Sequence, residues 1–407
     1  MKTISTLILL TIMFYNFNSA TAQNSSEYTS VTSGVKYQYI GTYDLARLNK
    51  IITTELAEFA PFKQDFPQPK YAVKLYKVLY ESVVPEQNNK PTTASGLIAI
   101  PETGQSTMPV VSYQHGTVFT KTEVPSQLEN SYETRLEVAQ FAGNGYILIG
   151  ADYFGKGSSE EPDSYTVKAS TQQACLDMYK AAQHVTKALG VNMGELFLSG
   201  WSQGGYSTLV FLNKLESLGI EVKATGFACA PTDLFAAVNR WVYNPQPIDA
   251  IWLAGCMVQQ INAYQEYYNL PGLLNAAIKP EYQEVSRSFF QFKTGYEEFA
   301  KKTPAKLIDL LSPEFFKRNS PLSKRYFEIL EENQSYRWRT VTPIQTYYGE
   351  IDEAVPEFLA RLPEGFQKLM GGAQVTAIDA GNKGDHRGTF IYSVAHELPW
   401  FEGLRSK

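Results

Sequence analysis

From residue 71 onward, stretches rich in β-branched and aromatic residues alternate with polar, turn-forming ones. Residues 71–83 (YAVKLYKVLYESV) and 92–100 (TTASGLIAI) carry strand character, and Pro85-Glu-Gln-Asn-Asn-Lys-Pro91 between them predicts a hairpin. Past Pro109 the pattern becomes strand, then helix, repeatedly. Short apolar runs at 110–115, 146–151, 195–199, 222–230, 342–348 and 374–379 predict strands. Between them, 133–142, 167–189 and 202–215 carry helical periodicity. Such alternation predicts an α/β protein, a mostly parallel central sheet with helices on both faces and an antiparallel leading hairpin at its edge.

Residues 232–341 break the alternation. They lie between two strand-like runs, show no strand pattern, and are dense in aromatics: Trp241, Tyr243, Trp252, Tyr264, Tyr267, Phe289, Phe315 and Phe316. A crossover needs far fewer residues, so this stretch predicts a mainly helical insertion. The organisation expected is a signal peptide over 1–22, an N-terminal extension over 23–69, a first core part over 70–231, the helical lid over 232–341 and a second core part over 342–407.

The first 22 residues are set apart by their chemistry. Lys2 is followed by an apolar stretch from Leu7 to Phe17 and then by Ala20-Thr21-Ala22, an A-x-A cleavage signal that predicts a mature chain starting at Gln23. The apolar stretch is short for a membrane span, and no later segment is apolar enough for one. A secreted or periplasmic protein is expected. Export also places the three cysteines where disulfides form. Cys229 and Cys256 are a possible pair, but three small buried hydrophobes is the favoured reading. The four His are scattered and there is no C-x-x-C, so no metal is expected. The formal charge of -5, which becomes -6 once Lys2 is removed, and the lack of any basic block exclude a nucleic-acid binder.

The chemistry lies in four short segments. Gly200-Trp201-Ser202-Gln203-Gly204 follows a strand and opens a helix, the context a G-x-S-x-G nucleophile turn requires. The sharp turn exposes the Ser202 hydroxyl, leaves no room for side chains at the flanking glycines, and puts the Gln203 amide at a helix N-terminus facing a developing oxyanion. His115-Gly116-Thr117 ends an earlier strand, and the backbone N–H of Thr117 is the candidate second donor. The His115 imidazole itself is expected to be packed, although it and Trp201 are the candidate substrate contacts. Glu350, Asp352 and Glu353, just past the strand at 342–348, are three carboxylates of nearly equal standing for orienting a catalytic His. His386, in the Gly-rich segment 381–388, is the candidate general base. His184 and His396 fall in helical patterns and read as structural, as Asp385 reads as a local charge.

One motif is a decoy. Gly150-Ala-Asp-Tyr-Phe-Gly155-Lys156-Gly157 nearly matches a phosphate-binding loop, but Gly157 stands where Ser or Thr must hold Mg²⁺. No cofactor is expected.

Taken together, His115-Gly-Thr117, Asp152-Tyr-Phe-Gly-Lys-Gly157, Gly200-Trp-Ser-Gln-Gly-Gly205, Gly349-x-x-Asp352-x-x-Val355-Pro356 and the late His386 resemble the α/β-hydrolase superfamily, nearest the secreted lipases and esterases with a large helical lid. The resemblance covers about residues 70–231 and 342–402. It implies the α/β-hydrolase fold, Ser202 as nucleophile, Asp352 rather than its neighbours as the acid, His386 as base, and Gln203 with Thr117 as the oxyanion hole. The order Ser, Asp, His is that of the superfamily. The implied activity is hydrolysis of a small-molecule or lipid ester through an acyl-enzyme. A serine peptidase of the prolyl-oligopeptidase type is the first alternative. Only about 50 residues separate Gln23 from the first clear strand, too few for the propeller common in that group. A binding protein on a hydrolase scaffold is the second. The oligomeric state is left open.

Overall fold

The computed structural model describes residues 27–60, 63–381 and 384–405, so the expected signal peptide and its cleavage site lie outside the described residues. Among the described residues ten strands form one sheet: β1 (Thr29–Thr32), β2 (Val35–Tyr43), β3 (Val73–Val84), β4 (Lys90–Pro101), β5 (Thr107–Gln114), β6 (Ile147–Ala151), β7 (Asn192–Gly200), β8 (Ala224–Ala228), β9 (Ile344–Tyr348) and β10 (Val375–Asp379). Their spatial order is β1-β2-β3-β4-β6-β5-β7-β8-β9-β10. From β6 to β10 every pairing is parallel. From β1 to β4, and where β4 meets β6, every pairing is antiparallel.

The predicted hairpin is present as β3 and β4, but the antiparallel region is twice its expected size because β1 and β2 extend it from within the N-terminal extension. In β2 the sequence V-K-Y-Q-Y alternates as a strand should, and a bulge between Tyr39 and Gly41 then shifts the register. The extension continues as helical turns from Leu45 to Phe59, with a π-helical stretch at Ile51–Glu55, lying on the helix Tyr132–Gln140.

Period two in the strands divides the core. Tyr76, Val78, Ile98, Val110, Ile147, Ile149, Leu196 and Leu198 face one layer, formed by the helices Lys168–Ala188 and Gln203–Ser217 and continuous with the insertion. Leu75, Leu97, Ala99, Val111, Leu148 and Phe197 face the other, formed by Leu48–Leu56, Tyr132–Gln140 and His386–Leu404. Residues 232–341 fold as a run of helices, the longest being Leu253–Tyr267 and Pro321–Glu332. Tyr264, Tyr326, Phe289 and Phe299 are among its buried aromatics, and they belong to the same continuous core as the first of these layers. All three cysteines are buried and free, so Cys229 and Cys256 are not paired. No described helix is long and apolar enough to cross a membrane.

Candidate active site

The parallel strands all end on the edge of the sheet that the insertion covers. After β7, Trp201 makes a single bridge to Ala228, and Ser202 is forced to φ 55°, ψ -124° before the helix Gln203–Ser217 begins. A positive φ at a non-glycine residue is costly and persists only where surrounding structure imposes it. Here the Ser202 N–H is held by the Ala228 carbonyl at 2.8 Å, and the glycines leave the necessary room. A Cβ at Gly204 would collide with the Gln114 carbonyl, and one at Gly200 would lie 2.6 Å from the Gly204 oxygen.

Ser202, His386 and Asp352 meet although they are far apart in sequence. His386 Nε2 is 2.9 Å from Ser202 Oγ, and its Nδ1 is 3.0 Å from both carboxylate oxygens of Asp352. Asp352 Oδ1 also accepts the N–H groups of Ala354 and Val355, each at 2.8 Å, which fixes the carboxylate in its loop. The loops carrying Asp352 and His386 approach so closely that a Cβ at Gly384 would lie 2.9 Å from Gly349 Cα. Asp385 caps the helix that His386 opens, accepting from Gly388 N at 2.6 Å. Glu353 accepts the His386 backbone N–H at 3.0 Å. Glu350 makes neither contact.

The electrostatics follow from burial and pairing. Desolvation pushes the His386 imidazole toward neutrality, but the Asp352 charge and hydrogen bond outweigh it, with help from Glu353 and Asp385, and its pKa rises above the usual 6.5. Burial raises the Asp352 carboxyl, yet His386 and the hydrogen bonds to Cys229 and Val355 bring it below its ordinary value. Cys229 Sγ, Asp352 and His386 lie within 4.8 Å of one another, close enough to suggest metal ligands. Burial and the Asp352 charge push that thiol well above its usual range, so it stays protonated and fits a hydrogen-bond donor better than a metal-binding thiolate.

Two cavities open at Ser202. The narrow one, about 30 Å³, is bounded by Thr117, Gln203, Tyr165 and, from the insertion, Trp252, Leu253 and Met257. The wide one, about 360 Å³, is lined by Trp201, His386, Phe119, Glu123, Glu353 and Arg387. Thr117, Ser202 and Trp252 border both. Thus Thr117 and Gln203 lie beside Ser202, and Trp201 lines the wide cavity. His115 does not. Its imidazole is fully buried, stacked on Tyr153 at 4.3 Å between centroids and set against the Gly116 and Asp152 carbonyls, and it lines neither cavity. Burial lowers its pKa to about 4, so it remains neutral at physiological pH.

Three supports were not anticipated. Glu133, buried on the helix Tyr132–Gln140, accepts from Gly116 N at 3.1 Å and from Trp201 Nε1, tying the Thr117 loop to the nucleophile turn. Burial raises its pKa to about 7. Trp252 of the insertion leans on His386 with ring centroids 5.4 Å apart, while Trp201 lies 5.0 Å from the same ring. Finally, the decoy motif braces the Thr117 loop. Lys156 pairs with Asp163 at 3.0 Å and donates to the Val118 carbonyl at 2.8 Å, while the Gly157 N–H holds the Lys121 carbonyl at 2.9 Å.

A scan of protein-family models and a search of curated proteins return no match. Solved structures do match. A Legionella pneumophila protein assigned as a hydrolase superposes with a TM-score of 0.79 at 21% identity, covering 90% of this chain and 97% of that one. The rice cell wall degrading esterase LipA from Xanthomonas oryzae gives 0.77 at 19%, covering 91% and 98%. Candida antarctica lipase A in its closed state gives 0.64 at 12%, covering 93% and 84%. The fold is therefore the α/β-hydrolase fold.

Proposed function

We propose that this protein is an exported serine hydrolase that cleaves carboxylic esters through Ser202, His386 and Asp352. The observation that carries the reading is the unbroken line from Ser202 Oγ through His386 to Asp352, 2.9 and 3.0 Å, at a strained strand-to-helix turn. His386 takes the Ser202 proton as Oγ attacks the ester carbonyl, and Asp352 steadies the imidazolium that forms. The N–H groups of Gln203 and Thr117 would stabilise the oxyanion. Each such donor contributes about 3 kcal/mol to lowering the barrier in related acyl transfer. The proton then passes to the leaving alcohol, and water activated by the same imidazole releases the acid. The helical insertion would serve as a lid, keeping water from the cavities that it walls.

The named esterase and lipase among the structural neighbours favour esters over peptides. The leader pattern in residues 1–22 supports export. The test is hydrolysis of p-nitrophenyl esters by the chain from Gln23 onward, beside Ser202→Ala. A loss of about a thousandfold or more in the variant is expected. Ester turnover that survives the substitution, or no turnover of any ester, refutes the reading.

A further inference from the structure

The two cavities differ in size and in which member of the triad they expose, and this assigns the two halves of the ester. The assignment rests on the ester-hydrolase reading above and deepens it. When the tetrahedral intermediate collapses, the bond from the acyl carbon to the alcohol oxygen breaks. The proton that His386 took from Ser202 then goes to that oxygen. The alcohol must therefore leave on the side where His386 is exposed. His386 lines the wide cavity and not the narrow one. The acyl chain is left with the narrow cavity, beside Gln203 and Thr117.

That cavity is small. Its volume is about 30 Å³ against about 360 Å³ for the wide one, so of the two it suits the smaller half of the ester, a short acyl chain such as acetyl or propionyl. Its walls are fixed. Met257 and Gln260 both accept from the buried Tyr326 hydroxyl, at 3.5 and 2.9 Å, and Gln260 also holds Thr166 at 3.3 Å. Trp241 is pinned by its Nε1–H to the Ala354 carbonyl at 3.0 Å. Beyond Trp241 and Leu253, which border both spaces, lies a groove of about 590 Å³ lined by Ile251, Leu307 and Ile308. A longer acyl chain would have room there, but those two side chains separate it from Ser202.

We infer that the protein is a short-chain acyl esterase, specific for acetyl and propionyl esters of bulky polar alcohols, with Leu253 and Met257 setting the acyl limit. The wide cavity, with Glu123, Glu353 and Arg387 on its walls and Phe119 stacked on Tyr296 at 5.0 Å, suits a large, polar alcohol group.

The experiment is kcat/KM for p-nitrophenyl acetate, propionate, butyrate, hexanoate and octanoate, with the unaltered enzyme, Leu253→Ala and Met257→Ala. In acyl pockets one methylene too many costs about 10–200-fold. The unaltered enzyme should therefore favour acetate or propionate over octanoate by at least about a hundredfold. Leu253→Ala, which opens the wall to the groove, should raise the hexanoate-to-acetate ratio by about tenfold or more. Met257→Ala should raise the butyrate-to-acetate ratio, and it preserves the test if the first variant does not fold. Preference of the unaltered enzyme for hexanoate or longer overturns the inference while leaving the ester-hydrolase reading intact. Unchanged ratios in both folded variants overturn the assignment of these residues. Absence of Ser202-dependent turnover of every ester instead refutes the parent reading.

Discussion

At the residue scale, the site depends on how His386 is charged. A general base must be neutral, so kcat/KM should rise with pH through the His386 pKa, which lies above 6.5 because Asp352 outweighs the effect of burial. Asp352→Asn removes that carboxylate and leaves desolvation opposed only by Glu353 and Asp385. The acid limb of the pH–rate profile should move to lower pH, and kcat should fall by about 10⁴-fold as the tautomer is lost. A limb that stays in place would show that Asp352 does not set the imidazole's affinity for protons. Glu133 makes a different claim. Its two oxygens serve two N–H donors, and Glu133→Gln turns an NH₂ toward one of them. A loss of about 1–3 kcal/mol, read by urea denaturation, is expected. The fall in kcat should exceed any change in KM, because the disturbed loop carries Thr117.

At the element scale, the Asp152–Asp163 segment is a brace for the Thr117 loop. Lys156 and Asp163 are each 1% exposed in their side chains, and Lys156 also lies over the Phe292 ring at 4.4 Å. Removing one partner from a buried pair costs about 3–5 kcal/mol. Lys156→Met should lower stability by that order, measured by thermal or chemical unfolding, and Lys156→Met with Asp163→Leu should recover part of it. This segment also marks the limit of sequence reading. Its resemblance to a phosphate loop fails at Gly157, and nothing in the string shows that Lys156 reaches the Val118 carbonyl. The serine turn was legible because backbone crowding forces its glycines; β5 through β8 were legible because burial on both faces makes most of their residues apolar, and β3, β4, β9 and β10 were legible from their β-branched and aromatic residues. β1 and β2 were harder: β1 is short and exposed, and the bulge at Gly41 interrupts the alternation of β2. Glu133 carries no local signal, since its role depends on a helix meeting two distant loops. His115 was half legible, for packing was foreseen while substrate contact was also entertained.

For the whole molecule, buried carboxyls tie stability to pH. Glu137 and Glu397, both fully buried, are raised by desolvation, Glu397 to about 8 and Glu137 further by the Glu397 charge. Folded carboxyls that hold protons more tightly than unfolded ones lose stability as pH rises through the gap. Below pH 6.5 His115 opposes this, because its lowered pKa makes the folded state the weaker proton binder. From about pH 6.5 to 8 that opposition is gone. Over the same interval the raised His386 contributes in the same sense as the carboxyls. The Tm should fall by several degrees across that interval. Glu397→Gln should flatten the slope; an unchanged slope would show that Glu397 does not take up the proton. Activity and stability should therefore have different optima, with the enzyme fastest where it is less robust.

Trp201 and Trp252 both stand against His386, 5.0 and 5.4 Å between ring centroids, and this makes the site its own optical probe. Indole emission is quenched by a neighbouring imidazolium and recovers when the ring loses its proton. The intrinsic fluorescence of the resting enzyme should brighten with the same midpoint as the acid limb of kcat/KM. Removing the indole by Trp252→Phe should take away part of that signal. The proton that decides catalysis can then be titrated with no substrate present.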